Sequence, residues 1–188
     1  MIEAKMFGWH IAVGGFRNVK VGNIDAFLRL AKENAEGREG CYVQFFDAEM
    51  IGGFDHLYFA ALNALKAFET KLNISKSPAV EALLFASGQH QIRKAVDLLG
   101  LKRDSSEAIV LVVADERSEA VETLGCVSKL LGGEACDKVI ELTDEKVKKI
   151  KAAFGVTDLE IEATLRQSEK EALSSLLIER AALLVTRR

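Results

Sequence analysis

Two stretches of this chain bring backbone donors, cations and small residues close together: Ser75–Lys76–Ser77–Pro78 and Ser87–Gly88–Gln89–His90–Gln91–Ile92–Arg93–Lys94. Each reads as a junction between helices. A helix start leaves amides unpaired and carries the positive end of the dipole, which suits an anion. Gly88 lets another backbone approach closely, and Gln89 and Gln91 both donate and accept. Arg93 and Lys94 add charge one turn in. The set fits the end of a single-stranded nucleic acid: cations for phosphate, amides for base edges and an apolar surface for stacking. A plainer description also fits, with Gly88 a C-cap, Ile92 a core residue and the glutamines surface filler.

Catalytic patterns find little support. The phosphate loop Gly-x-x-x-x-Gly-Lys-Ser/Thr is absent, and Gly14–Gly15, Gly52–Gly53 and Gly132–Gly133 read as turns. The Ala86–Ser87–Gly88 stretch lacks the first glycine of a serine elbow. The histidines are His10, His56 and His90, and neither His-Glu-x-x-His nor Cys-x-x-Cys occurs, so no metal site is expected. Asp55–His56 could form an acid/base pair; the simpler reading is a helix-start carboxylate beside a surface or half-buried imidazole. Cys41 falls in a strand, Cys126 in a helix and Cys136 in a loop, without an adjacent base. No catalytic residue and no cofactor are expected.

These junctions need elements to position them. Residues 1–15 read as one strand or as two forming a hairpin, ending at Gly14–Gly15. Asn23 caps a helix that Gly37 closes, and 41–46 is a β-type run. Phe54, Leu57, Tyr58, Ala61, Leu62, Leu65, Phe68 and Leu72 recur at helical spacing, giving a long amphipathic helix. Ser77 with Pro78 at the first position restarts a helix that stops at Gly88. A further helix, 89–99, is expected to turn Ile92, Ala95, Val96 and Leu99 inward. The run 108–114 reads as a strand buried on both faces, followed by Asp115 as a cap for a helix to Leu131. Residues 138–142 read as a short edge strand, Thr143–Asp144 opens a helix, and Thr157 with Glu160 forms a capping box for the last one. Together these predict one α+β domain over 1–188, mostly helical, with a small mixed or antiparallel sheet packed against helices.

Charge adds a distinction that the total conceals. The 25 Lys and Arg against 28 Asp and Glu give a net charge of -3, which disfavours a polyanionic partner. Yet residues 66–103 carry Lys66, Lys71, Lys76, Arg93, Lys94, Lys102 and Arg103 against only Glu69, Glu81 and Asp97, a basic island in an acidic chain. The longest apolar run falls far short of the roughly 20 residues that span a bilayer. No leader pattern opens the sequence, and three cysteines fit no disulfide framework, so a reducing, cytoplasmic location without membrane attachment is expected.

The stretch Ser75–Lys76–Ser77 … Val80–Glu81 … Leu84–Phe85–Ala86–Ser87–Gly88–Gln89–His90–Gln91–Ile92, with His56–Leu57 and Ala60–Ala61–Leu62–Asn63–Ala64 before it, resembles the smallest core subunit of the KEOPS complex. That archaeal and eukaryotic family includes the human PRPK-binding protein, and this chain looks like an archaeal-type member. The resemblance implies a non-catalytic subunit that binds the 3′ CCA end of tRNA and docks on the kinase-like ATPase subunit. The assembled complex forms threonylcarbamoyladenosine next to the anticodon. The alternative is a pure protein-interaction regulator of the kinase, without RNA contact. By resemblance, Ser75 and Lys76, Ser87 to Gln91, Ile92 and Arg93 form the tRNA site, with Lys76 on phosphate and Ile92 lining the pocket for the terminal bases. His90 stands where the family often has Arg, and Phe85 where it commonly has Tyr. No small-molecule substrate is implied.

Overall fold

The computed structural model describes residues 1–36, 40–164 and 167–185. The chain opens with a hairpin of β1 (Ile2–Met6) and β2 (Trp9–Arg17), paired antiparallel with Met6 opposite Trp9. Phe7 and Gly8 between them both have positive φ, 49° and 85°. Two such residues are what a tight turn matched to strand twist requires. Helix α1 (Ile24–Glu36) follows, with Asn23 Oδ1 accepting from the Ala26 amide at 2.9 Å. Then come β3 (Cys41–Asp47), α2 (Phe54–Glu69), α3 (Pro78–Ser87) and α4 (Ile92–Leu99). The second half holds β4 (Glu107–Ala114), α5 (Arg117–Leu131), β5 (Glu134–Ala135), α6 (Asp144–Phe154), α7 (Asp158–Thr164) and α8 (Glu169–Leu183).

The sheet runs β1-β2-β4-β3, with β5 on the end of β2 that β1 does not reach. Every pairing is antiparallel. Strand β4 lies between β2 and β3, and its apolar run is buried on both faces. Ile109, Leu111 and Val113 join the core made with α2, α3 and α4. Ala108, Val110, Val112 and Ala114 face α1 and α5. A third cluster, with Ile150, Leu173 and Leu177, joins α6, α7 and α8. The result is the expected α+β architecture. No helix among the described residues is long and apolar enough to cross a membrane.

Four local expectations are corrected. Gly14–Gly15 is not a turn but lies inside β2, opposite Val110 and Ile109 of β4, and Gly15 is needed there because a Cβ would come within 2.6 Å of the Cys136 carbonyl oxygen. Residues 138–142 are not a strand: Asp137–Ile140 forms a 3-10 turn, and the short strand precedes it at Glu134–Ala135. Buried Lys146 donates from Nζ to the Val139 carbonyl at that turn. Glu116, not Asp115, occupies the cap position of α5. The segment after the Thr157–Glu160 capping box is two helices, because Ser168 accepts from the Glu171 amide at 3.2 Å and starts α8 afresh. Gly37 lies outside the described residues.

Candidate functional site

The two junctions sit at opposite ends of α3. Ser77 Oγ accepts from the Val80 amide at 3.4 Å and Pro78 takes the first helical position, so that end forms as the sequence predicts. Gly88 closes the other end in the left-handed region, φ 63°. Its amide donates to the Phe85 carbonyl at 3.1 Å, and the Gln89 amide to Leu84 at 3.2 Å. Ten residues at the helical rise put about 15 Å between the ends. Lys76 and Ser87 therefore stand at opposite ends of this helix.

Each end is held by a buried polar residue. Glu81 is fully buried, and its carboxylate accepts from the Ile74 amide at 3.1 Å and the Ser75 amide at 2.7 Å. Ser75 is buried too, its hydroxyl donating to the Ser77 carbonyl at 2.7 Å. Ser75 thus shapes the loop that presents exposed Lys76. At the other end His56 is fully buried; its Nδ1 accepts from the Gly52 amide at 3.1 Å and its Nε2 donates to the Ala86 carbonyl at 2.8 Å. Burial, only partly opposed by the Ala86 contact, pushes its pKa down from 6.5 to about 4. His56 is therefore a neutral clamp between α2 and the end of α3, not a surface or half-buried imidazole. Ser87 is also buried, with its hydroxyl donating to the Leu84 carbonyl at 3.0 Å.

The exposed groups form a different set. Gln89 and His90 are partly exposed, and Gln91, Ile92, Arg93 and Lys94 are exposed. Helix α4 starts at Ile92, three residues later than the sequence suggests, and Gln91 caps it without a side-chain hydrogen bond. Ala95 and Leu99 are buried, whereas Ile92 is 44% and Val96 42% exposed. The inward face expected for all four is thus corrected for Ile92 and Val96. These two, one turn apart, form an apolar stripe on the surface. It leads toward a groove of about 320 Å³ lined by Ser77, Val80, Val96 and Gly100 beside α1 and β3. Lys66, Lys71, Lys76, Arg93, Lys94 and Arg103 are exposed, Lys102 partly so, and none of these seven is in an ion pair among the described residues.

Ser87, Gly88 and Gln89 also line a second cavity, of about 450 Å³, against α8. Arg180 crosses it, donating to the Phe154 carbonyl and, at 2.8 Å, to Glu160. The Thr157 amide and hydroxyl together with Arg180 hold the Glu160 carboxyl down at about 2. Phe85 is fully buried, so the absence of a tyrosine hydroxyl there alters the core and not this surface. Cys41 is buried with Sγ 3.3 Å from Thr123 Oγ1. Along α8 and its end, Leu173, Leu176, Leu177 and Leu184 are buried, whereas Leu183 and, on α7, Leu159 are exposed.

The sequence offered Glu81 and His56 only within the stretch that carries the resemblance, and His56 also as an acid/base candidate; neither was read as a support for the backbone, and Arg180 was not singled out. Glu81 lies six and seven residues from the amides it holds, and His56 thirty from the Ala86 carbonyl, so only the Ser75–Glu81 spacing carried a local signal.

The profile of the family described as "Kinase binding protein CGI-121" matches residues 16–184. A protein of Methanocaldococcus jannaschii named "Regulatory protein Cgi121" is 32% identical over 117 residues, covering 62% of this chain and 72% of that protein.

Proposed function

Because the chain belongs to the CGI-121 family of kinase-binding proteins, we propose that it is a non-catalytic subunit joining a kinase-like ATPase to tRNA. In this reading it serves the KEOPS complex, which forms threonylcarbamoyladenosine, and its own part is to hold the 3′ CCA end. The observation that carries the RNA half is the Ile92–Val96 stripe. Large apolar side chains exposed on a helix surrounded by uncompensated cations suit a single strand, whose bases need apolar faces and whose phosphates need charge. Lys76 just precedes α3, and Arg93 and Lys94 lie in the first turn of α4 that follows it; α3 alone spans about 15 Å, enough for a few extended nucleotides rather than one phosphate. The first-turn amides of α4 add donors for backbone or base edges. The buried hydroxyls of Ser75 and Ser87 act indirectly, by fixing the loop before α3 and its last turn.

The name of the archaeal relative supports a second reading, regulation of the kinase without RNA contact. A titration separates the two. The chain alone is mixed with tRNA carrying or lacking the CCA tail, at several stated salt concentrations, because phosphate contacts release counterions. Tighter binding of the tailed RNA, with a shallower salt slope in Lys76→Glu, supports RNA recruitment. Equal, weak binding of both RNAs, with kinase binding intact, supports the regulator.

A further inference from the structure

The cavity beside Ser87–Gln89 has a chemistry unlike the stripe on α4. None of the seven cations of residues 66–103 lines it. Its one cation among the described residues, Arg180, is already committed to Glu160 and the Phe154 carbonyl. Glu179 also lines it, exposed and in no ion pair among the described residues. Helix α3 points its C-terminal, partly negative end here. A phosphate would meet an uncompensated carboxylate and the unfavourable end of a dipole. The walls nevertheless carry Leu98, Phe154 and Leu183, the last 39% exposed at the end of α8. A cavity that sets Leu98, Phe154 and Leu183 beside the Glu179 carboxylate suits a long aliphatic stem ending in a cation. Its volume, about 450 Å³, exceeds what one such side chain fills, leaving room for neighbouring backbone.

We propose that this cavity is the socket for an arginine or lysine side chain of the kinase partner, with Glu179 as the counter-charge and the Leu98–Leu183 wall receiving the stem. The proposal rests on the family's kinase binding and not on the RNA reading. The kinase would then approach over the end of α8, and the RNA over α4, so both could be held at once.

The test is calorimetric titration of the folded chain with the kinase-like ATPase of the same organism, at low and high salt. The variants are Glu179→Lys and Glu179→Gln. Glu179 is exposed, so thermal melting of its variants should match the wild type. The expected result is a loss of about tenfold or more in kinase affinity for Glu179→Lys, and a smaller loss with reduced salt dependence for Glu179→Gln. The tRNA affinity of the Glu179 variants should stay unchanged. Unchanged kinase affinity in Glu179→Lys overturns the socket. A shift in tRNA affinity instead reassigns the cavity to RNA. Failure of the wild type to bind the kinase is a different outcome, which removes the kinase premise itself and the socket with it.

Discussion

His56 makes stability depend on pH in a window that can be worked out from the structure. An unfolded imidazole takes up its proton near 6.5, whereas the buried one resists until about 4. Between these values the unfolded chain binds more protons than the folded one, so stability falls as pH falls through that window and is fully present above it. The difference corresponds to about 3 kcal/mol at full extent. Protonation would also set an N–H at Nδ1 against the Gly52 amide, which donates to it at 3.1 Å. In His56→Gln the amide can still donate to Ala86 but does not titrate. At neutral pH the variant should be about 2 kcal/mol less stable, through the unsatisfied Gly52 amide and poorer packing. Urea unfolding across the window should show this gap close, and approach zero or reverse near the acid end. Carboxylates titrate alike in both proteins, so their effects cancel in the difference. A gap that stays constant with pH would refute the neutral-clamp assignment.

Two other substitutions test the supports. Glu81→Ala orphans the Ile74 and Ser75 amides, and should cost about 2–4 kcal/mol in urea unfolding and weaken tRNA binding by letting Lys76 move, with Glu81→Gln recovering part of both. Gly15→Ala drives a Cβ to 2.6 Å from the Cys136 carbonyl oxygen, a backbone atom that cannot swing aside. It should cost about 1–3 kcal/mol by overpacking, read as a lower melting midpoint without loss of the cooperative transition.

Features written locally were legible in the sequence. The Ser77–Pro78 start, the Gly88 stop, the Asn23 and Thr143 caps and the Thr157–Glu160 box each depend on residues within a turn of one another. The double burial of 108–114 followed from its lack of alternation. Features set by distant partners were not legible. Gly14–Gly15 looks like a turn unless the Cys136–Asp137 backbone crossing it is known. Ile92, Ala95, Val96 and Leu99 span an arc of about 100° on α4, and the sequence does not say which flank of the arc meets the core. The core takes Ala95 and Leu99, and the other flank is left to solvent. That choice is what turns Ile92 from a packing residue into a surface one. His56 shows the reverse case: its type suggested chemistry, and its burial assigns it to holding Ala86 in place.

The most direct measurement is the ratio of tRNA affinities with and without the CCA tail, at one fixed salt concentration, for the wild type and Ile92→Glu. Because Ile92 is 44% exposed, the substitution should change stability by no more than about 0.5 kcal/mol, so loss of binding would not reflect unfolding. The wild type should prefer the tailed RNA by about tenfold or more, through apolar contact of the terminal bases with Ile92, and Ile92→Glu should bring the ratio close to one. A wild-type ratio of one, or a preference that survives Ile92→Glu in the folded protein, would contradict the assignment of this surface to the tRNA end.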